Sequence, residues 1–170
     1  NHVAALLEEV LSGEAPASLA VSGHATPAVF FQNLAERHLD WSRIHLFWVD
    51  ERAVPPTDPQ SCHRVVEQNL IQPARIPRRN VHRIPTELRP ESAARRYAEE
   101  LLDFFGLERG EIPHFDVILR GLGADGHTAG LFPGEPLLED REGIAAAVYV
   151  ESLGQWWITL LPAVLLAARH

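Results

Sequence analysis

The segment 115–134, FDVILRGLGADGHTAGLFPG, carries the densest chemistry in the chain. An apolar run, Phe115 to Leu119, empties into a turn holding Gly121, Gly123 and Gly126, with Asp125 and His127 on either side of the last glycine. Imidazole titrates near neutral pH, so a histidine placed in a cleft can take a proton from water and return it. A carboxylate within reach orients such a ring and stabilises its charged form. Ligands of open α/β sheets bind beyond the carboxyl ends of the strands, where this turn would lie. The plain alternative is a histidine that only packs or caps at a helix start. The glycines and the adjacent Asp125 favour the proton-transfer reading, although spacing alone does not say whether Asp125 reaches the ring.

Two further stretches could contribute. Ser22 and Gly23, followed by Thr26-Pro27, read as a turn into a helix N-terminus, where free N–H groups can cradle an anion. An ordinary turn capped by Thr26 fits those residues equally well. Asp50-Glu51-Arg52 follows the apolar IHLFWV abruptly, as a strand-end site would, or as a solvated turn would. Gly121-x-Gly123-x-x-Gly126 also matches a dinucleotide fingerprint, with Glu151 as a conceivable ribose-binding acid. Asp125 argues against that reading, because it would set a carboxylate beside a pyrophosphate. The remaining histidines, among them His24, His45, His63, His82 and His114, lack the tight spacing of a metal-binding motif, so no metal is expected. Arg75, Arg78, Arg79 and Arg83 form a basic stretch expected to be a solvated face.

These loops need elements to hold them. Val3 to Leu11 has helical spacing, and Leu19 to Val21 reads as a strand. Thr26-Pro27 opens a helix over AVFFQNLAER, with the threonine hydroxyl as cap. Ile44 to Val49 is a buried strand, Ala53 to Pro59 a proline-rich loop, and Ser61 the cap of a helix to Leu70. Gln72 to Asn80 is a proline-broken connection, followed by a short strand near Val81 to Ile84. Glu91 to Phe105 is the clearest helix, stopped by Gly106. Ala145 to Val150 and Trp157 to Leu161 read as strands and Pro162 to Arg169 as a last helix. Strands alternating with helices imply an α/β fold with a mostly parallel sheet covered on both faces. Parallel strands would bring the loops at Ser22, Asp50 and Gly121 to one sheet edge.

Composition narrows the classes. The 170 residues suit a single domain, 1–170, with 46% hydrophobic and 22% charged residues. A net charge of −8 argues against nucleic acid, and no apolar run is long enough to cross a membrane. The single cysteine, Cys62, excludes an internal disulfide framework and suits a reducing, cytoplasmic setting. Lysine is absent, so all 15 basic residues are arginine and lysine-based covalent chemistry is excluded. Methionine is absent too, so Asn1 is not expected to be a native start.

Together, the segments SGHATP, WVDERAVPPTDPQS, GLGADGHTAGLFPG and WITLLPAVLLAAR resemble the 6-phosphogluconolactonase family in order and spacing, over nearly the whole chain. The chain looks shorter than family members at both ends. The resemblance implies a three-layer α/β/α Rossmann-like sandwich, shared with glucosamine-6-phosphate deaminase. It implies hydrolysis of 6-phosphoglucono-1,5-lactone to 6-phosphogluconate in the pentose phosphate pathway, without metal or organic cofactor. His127 would be the general base and Asp125 its support. Ser22, Gly23, Thr26, Asp50, Arg52, Gly123, Gly126 and Thr128 would lie around the sugar phosphate. Leu131-Phe132-Pro133-Gly134 stands where the deaminases share an Asn-Glu-Pro segment, and Asp-Glu-Arg replaces their Asp-Glu-Tyr. Three departures bear on function. His24 and Ala25 interrupt the usual SGGSTP, Cys62 stands where the family usually has asparagine, and Trp157 replaces an arginine before Ile-Thr-Leu. Loss of that cation would weaken the hold on phosphate and motivates a third reading, a non-catalytic sugar-phosphate binder. On charge alone, Arg52, Arg79, Arg83 and Arg120 are candidates to grip the phosphate.

Overall fold

β1 (Ala17–Val21) is buried along its whole length and β2 (Ile44–Trp48) nearly so, the burial expected of strands covered on both faces. The computed structural model describes residues 2–23 and 26–170. In it, β4 (Val81–His82), β2, β1 and β5 (Val117–Leu119) form a parallel sheet in that order. α1 (His2–Leu11), α2 (Ala28–Ala35) and α5 (Pro90–Phe105) are the longest uninterrupted α-helices of the fold. α5 ends at Gly106, which takes the left-handed conformation (φ 64°) that favours glycine. Backbone hydrogen bonds from Arg169 and His170 to Phe115 and Asp116 lay the last residues alongside β5.

The sheet changes character beyond β2. Asp50–Arg52 is not a loop but a short strand, β3, antiparallel to β7 (Gln155–Leu160), which in turn pairs antiparallel with β6 (Ala145–Val150). Val49 joins the two sheets: its N–H donates to the Val21 carbonyl and its own carbonyl accepts from Leu160. Only a single 3-10 turn, Glu151–Leu153, separates β6 from β7; it ends at Gly154 (φ 60°) and reverses the chain. α5 packs against this hairpin. Its buried Tyr97 hydroxyl donates to the Trp48 carbonyl and accepts from the Trp48 N–H, both at 2.8 Å. It thereby satisfies the backbone where β2 runs beyond its pairing with β4.

α2 begins after Pro27 and has no side-chain cap, so Thr26 does not cap it as expected. Ser61 does cap α3 (Cys62–Val66), accepting from the Arg64 N–H. That helix runs past Leu70, through a π-helical turn (Glu67–Ile71) into α4 (Gln72–Ala74). The wider turn accommodates Pro73, which has no N–H to give to a regular α-helical ladder. Among the described residues, no helix is long and apolar enough to cross a membrane.

Candidate active site

The carboxyl ends of β1, β2 and β5 do meet. Ser22 donates its N–H to the Leu119 carbonyl, extending the β1–β5 ladder by one residue. Asp50 follows β2 through Val49, and Gly121 follows β5. A cavity of about 210 Å³ lies between them, lined by Ser22, Asp50, Gly121, Gly123, His127 and Trp157, with Ala129 at its side. Here the topology brings together what the sequence scatters over more than a hundred positions.

The glycine turn shapes His127. Gly123 donates to the His127 carbonyl and accepts from Gly126, which sits at φ 87°. A Cβ on Gly123 would lie 2.3 Å from His127 Nδ1, so only glycine lets the ring rest over this backbone. Asp125 Oδ1 stands 2.5 Å from Nδ1 and also accepts the His127 backbone N–H at 3.2 Å. With Nδ1 carrying its proton toward Asp125, Nε2 is the basic nitrogen. The Asp125 carboxyl is held below its usual range, first by the hydrogen bond from the His127 ring. The imidazole stacks on Phe132 with centroids 4.7 Å apart and planes within 21°, and its side chain is 27% exposed. It therefore stays accessible to solvent.

The loop is docked rather than free. Thr128 Oγ1 donates to the Gly121 carbonyl at 2.8 Å, Thr128 and Leu131 exchange backbone hydrogen bonds, and Ala129 takes a positive φ of 55° between them. Gly130 donates to Thr159 Oγ1 on β7 at 2.9 Å and leaves no room there for a side chain. Phe132 meets Trp157 edge to face, and the Arg52 guanidinium lies over the Trp157 ring, 5.4 Å from its centroid.

The Asp-Glu-Arg triplet divides its labour. Asp50 is buried and lines the cavity; its Oδ1 has no hydrogen-bond partner among the described residues. Burial pushes its pKa up to about 6, opposed by a hydrogen bond with Ser22. Glu51 points the other way. Its carboxylate accepts from the Arg52, Cys62 and His63 N–H groups and from Ser61 Oγ, tying β3 to the start of α3. Burial raises the Glu51 pKa, and these backbone donors offset part of that rise. Arg52 gives Nη1 to the Gln60 carbonyl, outside the cavity lining.

Other expected site residues are supporting parts or lie apart. Gly23 packs on Cys62, where a Cβ would fall 2.7 Å from the Cys62 carbonyl oxygen. Thr26 is half-buried and, like Gly126 and Thr128, is not part of the cavity lining. His24 and Ala25 lie outside the described residues. Arg79 and Arg120 are exposed, and Arg83 pairs with Glu87. The sequence reading missed Phe132 as the shelf under the imidazole and Glu51 as a helix cap. The hint available in the sequence was an acid ten residues before the capping Ser61. Among the described residues, no His, Cys, Asp and Glu group could hold a metal ion.

The chain as a whole is similar to known proteins. The sequence profile of the glucosamine-6-phosphate isomerases/6-phosphogluconolactonases matches residues 1–170. The 6-phosphogluconolactonase of Treponema pallidum is 43% identical over 140 residues, 81% of this chain and 58% of its own length. That of Synechocystis is 44% identical over 122 residues, 71% of this chain and 51% of its own. The crystal structure of 6-phosphogluconolactonase from Thermotoga maritima superposes with a TM-score of 0.87 at 27% identity, covering 98% of this chain and 73% of that one. The chain thus spans a little over half the length of the curated relatives it matches.

Proposed function

The chain belongs to the glucosamine-6-phosphate isomerase/6-phosphogluconolactonase family, and from that membership we propose that it hydrolyses 6-phosphoglucono-1,5-lactone to 6-phosphogluconate in the pentose phosphate pathway. The observation that carries this reading is the Asp125–His127 pair at the mouth of a cavity floored by Ser22 and Asp50.

His127 Nε2 takes a proton from water, and the oxygen attacks the lactone carbonyl. The tetrahedral adduct collapses with cleavage of the ring C–O bond, and the imidazolium returns its proton to the departing ring oxygen. Asp125 holds the ring's tautomer and balances its transient charge. Such proton transfer supplies about 10²–10⁴-fold. A lactone is already an activated ester, so this degree of catalysis suffices.

Asp50 Oδ1 accepts a sugar hydroxyl, which removes the cost of an unpaired buried acceptor. Arg52, stacked on Trp157 of the lining, takes the phosphate side. Neither metal nor organic cofactor enters any step, and the partner is a small sugar phosphate. We place the protein in the cytoplasm on its single cysteine.

Leu131–Gly134 after the histidine supports the lactonase over the deaminase. Trp157 in the cavity wall favours one other reading, a sugar-phosphate binder with a weakened grip. A lactone assay corrected for spontaneous hydrolysis, run on the wild-type chain and His127→Ala, decides among these. Turnover lost in the variant supports the lactonase, whereas equal rates remove His127 as the base.

A further inference from the structure

A second cavity, of about 540 Å³, opens where the start of α3 and its π-helical turn face residues 78–83. It shares no lining residue with the catalytic cavity. We propose that it is a second binding site, for a small phosphate-bearing anion. The inference stands independently of the lactonase reading.

Charge is the first argument. In a chain of net charge −8, three guanidiniums, Arg64, Arg78 and Arg83, converge on this one cavity. Arg83 is held by Glu87 through two contacts. Arg78 pairs with Glu67 at 3.7 Å and keeps its side chain 90% exposed at the mouth of the cavity. Arg64 is anchored at the rim by the Thr57 carbonyl at 2.8 Å. Among the residues that line the cavity, these three guanidiniums face a single carboxylate, Glu67. Guanidinium forks match phosphate oxygens with paired hydrogen bonds, which a point charge does not.

His63 is the second argument. Its ring leans on Trp48 with centroids 5.3 Å apart, and its backbone N–H is committed to Glu51. Its Nδ1 is buried and lacks a hydrogen-bond partner among the described residues. Its other ring nitrogen, Nε2, stands 4.0 Å from Glu67, too far for a hydrogen bond, and a phosphate oxygen in the cavity would take it as a donor. Burial, with Arg83 and Arg78, holds the imidazole below its ordinary pKa, while Glu67 at 4.0 Å and Glu87 pull it up. A bound anion adds to the upward pull, so the histidine becomes a better donor once the ligand arrives. The volume lies within the range of ordinary small-molecule pockets.

The test is a titration with inorganic phosphate and with pyrophosphate at constant ionic strength, following the His63 ring resonance by NMR. The resonance is assigned by its loss in His63→Gln. A saturable shift with either probe is expected. Arg64→Ala and Arg78→Glu should each raise the half-saturating concentration about tenfold or more, as loss of a charge-assisted contact does. His127→Ala should leave it unchanged, which separates this cavity from the catalytic one. A non-saturating shift, one that chloride reproduces, or one that both arginine variants leave intact overturns the proposal.

Discussion

Gly123 and His127 occupy one another's space: a Cβ on Gly123 would stand 2.3 Å from both Nδ1 and Cε1 of the imidazole. The histidine's position is therefore written into a residue that has no side chain. Gly123→Ala should displace the ring from Asp125 and from its Phe132 shelf. We expect kcat for lactone hydrolysis to fall by about 10²-fold, the scale set by a misplaced general base. Thermal stability should change far less, because the loop is exposed at Leu122 and Ala124. An alanine variant with unimpaired kcat would show that the ring's place does not matter.

Asp125 gives the second prediction. It is exposed, so its worth lies in orienting the ring rather than in stabilising the fold. Asp125→Asn keeps the shape but loses the charge that balances the imidazolium. The expected result is a drop of about one to two decades in kcat with KM nearly constant, less than the roughly four decades lost at a buried triad carboxylate, because Asp125 is exposed. A pure KM effect would assign Asp125 to substrate binding instead.

Much of this arrangement was legible before any coordinates. The apolar runs at 19–21 and 44–49, the Gly106 stop and the glycine turn before His127 all declare themselves locally, although β1 begins two residues earlier, at Ala17. β3 did not, because Asp50-Glu51-Arg52 contains no apolar residue. It becomes a strand only through pairing with Thr159, Ile158 and Trp157, more than a hundred residues away. Glu51 was opaque for the same reason: its burial is bearable only because α3 turns three donors toward it. Phe132 looked like one more apolar residue in a loop, and only stacking shows its use.

That buried Glu51 leads to the third prediction. Removing its carboxylate leaves the Arg52, Cys62 and His63 N–H groups without acceptors in a closed space. Glu51→Ala should cost roughly 3–5 kcal/mol of unfolding free energy, the penalty for breaking a buried charged network. Glu51→Gln, which keeps an acceptor, should cost clearly less. Urea unfolding of both variants checks this, and equal losses would mean that volume rather than hydrogen bonding matters there.

The fourth prediction concerns pH. Asp50 has a folded pKa of about 6 against 3.8 for the free side chain, with burial the main cause. As pH rises between those values, the unfolded chain loses this proton while the folded chain keeps it, so stability falls. Above about pH 6 the loss levels off, at on the order of 3 kcal/mol from about 1.4 kcal/mol per pKa unit. Asp50→Asn cannot ionise and should escape the decline. Relative to wild type it should gain stability between about pH 4 and pH 7, while losing affinity for the sugar. A stability difference independent of pH would remove ionisation of Asp50 as the cause.

Trp157 supplies the last prediction. It is 1% exposed, lies across from Arg52 and Val148 in the antiparallel sheet, and carries the Arg52 guanidinium on its face. The family resemblance puts an arginine at this place. Trp157→Arg would set two guanidiniums side by side, which is unfavourable in an empty cavity and favourable around a phosphate dianion. The variant should therefore melt at a lower temperature than wild type, through lost aromatic packing and like-charge repulsion. It should also bind 6-phosphogluconate about ten to a hundred times more tightly, the worth of one charge-assisted contact. Adding the ligand should restore part of the lost stability, because binding to the folded state alone shifts the unfolding equilibrium. Calorimetric titration and ligand-dependent melting measure the two halves separately. A destabilised variant with unchanged affinity would make Trp157 a packing residue and leave Arg52 to hold the phosphate without it.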